Sequence, residues 1–129
     1  MQIYYFTRTG RSRKIAEDLA AKNGTTAKII NDGKNWSGIL GYIKAAAMSV
    51  RGKSIPADYP APPAEETVAL VFPVWAGTFP PAVKTFVQEV GRNRIIAVPT
   101  SLGSTMNDRD GFAKVIDLVG KEIVAPQAL

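Results

Sequence analysis

The sequence predicts an α/β protein whose parallel sheet has helices on both faces, the doubly wound arrangement. Short apolar runs alternate with stretches of helical spacing four times along the 129 residues. Two of the runs, 68–72 and 95–98, are apolar at every position, which is typical of strands buried on both faces. Strands that alternate with helices are joined by right-handed crossovers, and such connections favour a parallel sheet.

The first half of the chain predicts two strand-and-helix pairs. Residues 3–6 form an apolar run, and from Ser12 onwards small and aliphatic side chains fall on one helical face until Asn-Gly at 23–24. A second strand is predicted over 26–30, and apolar spacing over 36–50 predicts the helix that follows it. Each helix is expected to bury one face against the sheet.

The second half begins with a proline-rich connection over 53–66, which leads into the apolar strand at 68–72. A helix is predicted after Pro80-Pro81 and ends at Gly91, and the strand at 95–98 follows.

A last helix is predicted from Asn107 or Asp108 to Gly120. The apolar side chains that share its expected face are Phe112, Val115, Ile116 and Val119. Residues 122–125 then remain for a short closing strand. No linker divides the chain, so residues 1–129 are predicted to form one domain.

Composition limits the chemistry that the side chains can perform. The chain has no cysteine and no histidine, which excludes disulfides, thiolate nucleophiles and cysteine-ligated metals and removes the commonest general base. We therefore expect no metal site, and demanding chemistry would need a borrowed cofactor. No run is long enough for a membrane helix and the N-terminus lacks a secretory signal, so a cytoplasmic protein is expected.

The positive charge is concentrated in the N-terminal part. Residues 1–53 contain ten Lys or Arg and three Asp or Glu, whereas residues 54–129 contain six and eight. This asymmetry indicates an anionic ligand or partner near the N-terminal part, or else a solvated basic surface. Nucleic acid is not expected, because no basic helix is interleaved with stacking aromatic residues.

The turn after the first predicted strand has the composition of an oxyanion site. It consists of Thr7, Arg8, Thr9, Gly10, Arg11 and Ser12. Three hydroxyls, a glycine and the N–H groups of a helix start can bind phosphate, whereas the simpler alternative is a turn capped by Ser12. Arg13 and Lys14 add positive charge at a helix end that is already positive, and a bound phosphate would relieve that repulsion. The spacing of a nucleoside-triphosphate or dinucleotide loop is absent.

This turn belongs to a longer pattern. The stretch reads Ile3-Tyr4-Tyr5-Phe6-Thr7-x-x-Gly10-x-Ser12-x-x-x-Ala16-x-x-Leu19. It resembles the N-terminal signature of the flavodoxins, with Ser12 where the signature has threonine. The resemblance implies a flavodoxin-like sheet with strand order 2-1-3-4-5 and an FMN whose phosphate is held by this turn.

The turn after the third strand contains Pro73, Val74, Trp75, Ala76 and Gly77. It resembles the loop that runs along the isoalloxazine edge in flavodoxin-like proteins. The resemblance implies that Trp75 packs on the ring and that the Ala76-Gly77 peptide lies near the flavin N5, where it could rotate to accept the N5–H. For an isolated tryptophan, plain hydrophobic packing is the alternative interpretation.

The turn after the fourth strand, residues 100–105, is rich in small polar groups, and its candidate site residues are Thr100, Ser101, Leu102 and Gly103. It resembles the family loop that hydrogen-bonds the pyrimidine side of the flavin, although Leu102 stands where many flavodoxins have a stacking tyrosine. A structural loop with nothing bound is the alternative. The segment 38–53 also resembles a subset of small flavodoxin-like proteins, but an amphipathic core helix is the preferred interpretation.

The resemblance covers about residues 1–125, with a short last strand and no final helix. That helix would cover one sheet face beside the first helix, and a homodimer through the uncovered face is therefore expected. A truncated gene product is the alternative.

The resemblance implies an electron carrier that works between redox partners, either a partner protein or a small-molecule acceptor. The alternatives are an FMN-dependent reductase of quinones or similar acceptors, and a flavin-free interaction module of the same fold. Because electron-transfer flavodoxins are typically acidic and this chain is basic, a less negative flavin potential is expected.

Overall fold

The computed structural model describes residues 1–31 and 57–129. Its elements, in chain order, are β1 (Gln2–Tyr5), α1 (Arg11–Lys22), β2 (Ala27–Ile29), β3 (Val68–Pro73), α2 (Pro81–Val90), a 3₁₀ turn (Arg92–Arg94), β4 (Ile95–Ser101), β5 (Lys114–Val115) and β6 (Leu118–Val119). The predicted helix at 36–50 and the segment 38–53 lie outside the described residues.

The described strands form one parallel sheet in the order β2-β1-β3-β4-β5, and β6 pairs with β4 just beyond β5. Tyr4 lies between Lys28 of β2 and Leu70 of β3 in this register. The predicted strand order is confirmed. Because the strands are parallel, the carboxyl ends of β1, β3 and β4 meet at one edge of the sheet.

Alternate residues of the central strands supply two separate apolar cores. Tyr4 and Leu70 belong to the core that includes Phe86 of α2. Their neighbours along the chain point to the opposite face, where Ile3 and Val71 pack with α1. The predicted burial on both faces is confirmed, and it explains why β3 and β4 are apolar throughout.

The prediction of a helix from 107 to 120 is wrong. This part forms turns and the two short strands β5 and β6, and residues 122–125 form no strand. Val115 packs in one core whereas Ile116 packs in the other, an alternation typical of a strand and incompatible with one helical face.

The physical reason lies in the open side of β4. Its carbonyl groups need hydrogen-bond donors, and a helix, whose N–H groups are bonded internally, could not supply them. The backbone N–H groups of Ala113, Ile116 and Gly120 donate to the carbonyls of Ile95, Ala97 and Ser101 at 3.0, 2.8 and 2.9 Å.

The sheet face beside α1 is contacted by the end of the chain itself. Ala125 is only 5% exposed, and partly buried apolar side chains on either side of it pack into the same core. The expectation of a homodimer assumed that this face is uncovered, so its structural premise is weakened, although the homodimer stays a prediction. No helix in the described ranges is long and apolar enough to cross a membrane.

Candidate functional site

A cavity of about 420 Å³ opens at the carboxyl ends of β1, β3 and β4. It is lined by Thr7, Arg8, Thr9, Arg11, Ser12, Pro73, Val74, Trp75, Thr100, Ser101, Leu102, Gly103 and Ser104. All fifteen sequence-predicted site residues except Gly10, Ala76 and Gly77 are therefore in its lining. Its volume lies within the range of about 300–1,000 Å³ that is usual for small-molecule sites.

The loops that follow β1, β3 and β4 are called the first, second and third loops, and the first loop ends at the start of α1. Gly10 is the N-cap residue and its carbonyl accepts the first helical hydrogen bond from the N–H of Lys14 at 3.0 Å. Ser12 is inside the helix and does not cap it, so the interpretation of this turn as a Ser12-capped helix start is wrong. The first turn of α1 contains no acidic residue. This helix end consequently keeps the partial positive charge that favours an anion.

Two hydroxyls in the cavity wall have defined partners. Thr7 Oγ1 accepts a hydrogen bond from the N–H of Gly10 at 2.9 Å, which leaves its proton available for an acceptor in the cavity. The buried Ser12 and Thr100 hydroxyl oxygens are 2.9 Å apart, and Thr100 Oγ1 lies 3.4 Å from the carbonyl oxygen of Phe72. When Thr100 donates to the Phe72 carbonyl, Ser12 donates to Thr100; the Ser12 hydroxyl can donate to an anion when Thr100 turns its proton to Ser12 instead.

The positive charges of the first loop divide into two groups. Arg8 and Arg11 line the cavity, and no carboxylate is found among the described residues of its lining. Arg13 and Lys14 instead face solvent and form ion pairs one helical turn later, with Glu17 at 2.8 Å and Asp18 at 3.8 Å. The sequence alone did not separate these groups. Of these four basic residues, Arg8 and Arg11 are the ones that line the cavity.

Trp75 lines the cavity and also belongs to the core. Its side chain is 5% exposed, and its ring meets the ring of Phe6 edge-to-face at 5.4 Å. The hydrophobic-packing interpretation therefore holds for most of its surface, and contact between Trp75 and a flavin stays a prediction.

The Trp75–Thr78 turn is a tight one. The N–H of each of these two residues donates to the carbonyl of the other at 3.0 Å. The central residues Ala76 and Gly77 have φ values of 53° and 78°, which identify a type I′ turn. Rotation of the central peptide with both bonds kept would give a type II′ turn, whose first central position favours glycine. Ala76 opposes the rotation that the family resemblance implies.

The third loop is closed by its own serines. The Ser101 hydroxyl donates to the carbonyl of Ser104 and accepts the Ser104 N–H at 3.1 Å, which turns the chain back at the cavity rim. Ser104 was not among the predicted site residues, although the Ser-x-x-Ser spacing signals this turn. Leu102 is 69% exposed at the same rim.

The second and third loops are joined behind the cavity. The N–H of Asn107 donates to the carbonyl of Gly77 at 2.8 Å. A Cβ atom on Gly77 would lie 2.7 Å from the side-chain nitrogen of Asn107. Glycine is therefore favoured at position 77 by its positive φ, and a Cβ atom there would displace the Asn107 side chain.

Arg92 holds the chain that continues from the third loop. Its guanidinium donates two hydrogen bonds to the carboxylate of Asp108, at 2.6 and 2.5 Å, and lies over the rings of Phe79 and Phe112. These hydrogen bonds lower the pKa of Asp108 and raise the pKa of Arg92. The ion pair is structural and lies outside the cavity lining.

Solved structures resemble this arrangement over most of the chain. A flavoprotein from Lactobacillus acidophilus NCFM, crystallised with FMN, superposes with a TM-score of 0.66 at 15% identity, over 92% of this chain and 90% of that one. The chain has the flavodoxin-like fold. Candidate flavoproteins from Bacteroides uniformis ATCC 8492 (TM-score 0.66, 20% identity, 98% and 91% covered) and Bacteroides eggerthii DSM 20697 (0.59, 16%, 92% and 84%) also share it.

No family description and no curated protein matches the sequence. The flavodoxin-like fold thus rests on the structure, in agreement with the N-terminal signature. Among residues 1–31 and 57–129, no group of three carboxylates is placed to hold a metal ion.

Proposed function

We propose that the chain binds FMN in the cavity at the carboxyl end of the sheet and carries electrons between redox partners. The observation that carries the proposal is the composition of the cavity wall. Three loops bring together hydroxyl groups, two arginines and the edge of a tryptophan, with no carboxylate among the described lining residues. Flavodoxin-like proteins that resemble the chain include one crystallised with FMN.

The residues present fit the two chemically different parts of FMN. The hydroxyls of Thr7, Thr9 and Ser12, at the uncapped start of α1, suit a phosphate that accepts several hydrogen bonds. Leu102 and the 5% of Trp75 that is exposed line the same cavity and supply apolar surface that a flat ring could contact. When bound, FMN would supply one- and two-electron redox chemistry that the side chains of this protein lack.

An electron carrier is favoured over a reductase by the side chains at the site. The chain has no cysteine or histidine, and the described lining residues include no carboxylate to move a proton. The identity of the redox partner, its class as protein or small molecule, a cytoplasmic location and a homodimer stay predictions.

The central test is titration of the purified protein with FMN, followed by quenching of flavin fluorescence. We expect Thr9→Val, which removes an exposed hydroxyl in the cavity wall, to weaken FMN binding about tenfold, because a hydrogen bond to a charged group is lost. Thr105→Val removes an exposed hydroxyl of the third loop that is outside the lining, and it is the matched control. Failure of the unchanged protein to bind FMN would refute the proposal and favour a flavin-free module.

The carrier and the reductase differ in whether the protein consumes a nicotinamide by itself. The FMN-loaded protein should not oxidise NADPH with a quinone at a significant rate until a separate flavin reductase is added. Steady turnover by the protein alone would overturn the carrier proposal and establish the reductase instead.

The two cavity arginines should also set the flavin potential. Positive charge beside the reduced flavin stabilises its anion and raises the midpoint potential. We expect Arg8→Gln to lower the potential and to weaken FMN binding, with the change in affinity diminishing at high salt. A potential that is unchanged or higher in this variant would contradict the electrostatic argument.

A further inference from the structure

Residues 118–126, which we call the C-terminal strap, join two of the cavity loops through a residue outside the cavity lining. The N–H of Gly120 donates to the carbonyl of Ser101 at 2.9 Å, and the carbonyl of Gly120 accepts a hydrogen bond from the guanidinium of Arg11. Arg11 belongs to the first loop and Ser101 to the third. Gly120 therefore adds a second connection between the first and third loops, which already meet at the Ser12–Thr100 hydrogen bond.

The other end of the strap is held at the far end of the same helix. Lys22 Nζ lies 3.3 Å from the carbonyl oxygen of Ala125 and 3.5 Å from that of Pro126. Arg11 and Lys22 are the first and last residues of α1, about 16 Å apart at the helical rise. The strap is consequently fixed to both ends of α1, with Ala125 buried against the apolar core beneath.

The strap packs Leu118, Ile123 and Ala125 into the core, but it is attached less extensively than the central strands. Its regular structure is the two-residue strand β6, and Val124 within it is 76% exposed. A segment with few buried contacts opens locally at a small fraction of the cost of global unfolding. The docked and undocked states of the strap can therefore both be reached in the folded protein.

We infer that the C-terminal strap positions the cavity loops, and that docking of the strap and binding of FMN favour each other. This rests on the proposed function. If the phosphate of FMN fixes the Arg11 side chain, it also fixes the guanidinium that donates to the carbonyl of Gly120. A docked strap in turn holds Arg11 and the Ser101 loop in the arrangement that forms the cavity. Such coupling is reciprocal, so each event strengthens the other by the same factor.

The test uses Lys22, which is remote from the cavity lining. Lys22→Met removes the donor and the charge at the far end of α1 but leaves every lining residue in place. We expect FMN binding to weaken about fivefold, the lower end of typical coupling between sites. Lys22→Arg, which keeps a donor, should restore it. Lys28→Met removes the same charge from β2 and serves as the control for long-range electrostatics.

Amide hydrogen exchange supplies the second readout. Binding of FMN should slow exchange at the Gly120 N–H in the unchanged protein, and Lys22→Met should raise exchange there in the free protein. If Lys22 has only a structural role, Lys22→Met should lower thermal stability equally with and without FMN. The affinity for FMN should then be unchanged at temperatures where the protein is folded. That outcome would overturn the inference.

The outcomes separate this inference from the proposed function. If the unchanged protein does not bind FMN, the proposed function is refuted and the inference that rests on it is refuted with it. If it binds FMN tightly, but Lys22→Met and Lys28→Met change the affinity equally and exchange at Gly120 does not respond to FMN, only the coupling fails.

Discussion

The part of the chain that ends with β4 and the part that follows it are stabilised in different ways. Up to Ser101, the described residues form long-range strand ladders and two helices whose apolar faces pack on opposite sides of the sheet. After Ser101, two strands of two residues each and several turns run along β4 and α1. The first part is held mainly by strand ladders and extensive apolar burial, whereas the second buries fewer apolar side chains and is also held by backbone hydrogen bonds to β4 and by the Arg92–Asp108 ion pair.

The difference shows that apolar spacing predicts burial better than it predicts secondary structure. In the second part Phe112, Val115 and Ile116 pack against the cores as expected, although Val119 is 47% exposed. In the second part the choice between helix and strand was decided by the backbone groups of β4, which required partners at its open side. The cavity is lined by residues of both parts, namely three separate segments of the first part and Leu102, Gly103 and Ser104 at the start of the second.

The largest expected difference in unfolding free energy is between one substitution in each of the two parts. Ala16 of α1 and Ala125 of the C-terminal strap are buried in the same core. Ala16→Asp places an unpaired charge under a helix that cannot move away, and about 3–5 kcal/mol of unfolding free energy should be lost. Ala125→Asp should lose less than about 2 kcal/mol, because the strap can undock locally.

Denaturant unfolding of the two variants measures this difference. Equal losses of unfolding free energy would mean that the strap is as integral to the fold as α1, and would contradict the difference in stability between the two parts.

A smaller effect tests the junction between the Trp75 turn and the third loop. Gly77→Ala forces a positive φ on a residue with a side chain and displaces Asn107, so we expect a loss of about 1–3 kcal/mol. Gly103→Ala, in the cavity lining, meets no neighbouring atom and should change stability by less than about 0.5 kcal/mol. Thermal unfolding of the two variants gives the comparison, and similar losses would show that neither the positive φ of Gly77 nor its close approach to Asn107 matters for stability.

The smallest effect concerns the ion pair that anchors the second part at its beginning. The folded-state pKa of Asp108 is lowered by its hydrogen bonds to Arg92, so the pair stabilises the fold above the unfolded pKa and is lost as pH falls through the folded value. Because the Asp108 side chain is half exposed, we expect Asp108→Asn to cost only about 0.5 kcal/mol at neutral pH.

The difference between the Asp108→Asn variant and the unchanged protein should disappear between about pH 5 and about pH 2. Unfolding free energies measured across this range test it, and a difference that persists at the acid end would contradict the assignment to this carboxylate.

The sequence by itself determined the features that depend on neighbours along the chain. Alternation of strands and helices, the unbroken apolar character of β3 and β4, and the hydroxyl-rich turn before α1 are local patterns, and the described elements up to β4 follow them closely. Parallel strands then bring the three loops to one edge, which is why most of the predicted site residues meet in one cavity.

Only the tertiary structure decided the features that depend on residues far apart in the chain. It separated the cavity-lining Arg8 and Arg11 from the solvent-facing Arg13 and Lys14, and it placed Gly120 between the first and third loops. It also placed the short strands β5 and β6 where the sequence predicts a helix. The reason is that the open side of β4, which needs hydrogen-bond donors, exists only after the sheet has formed.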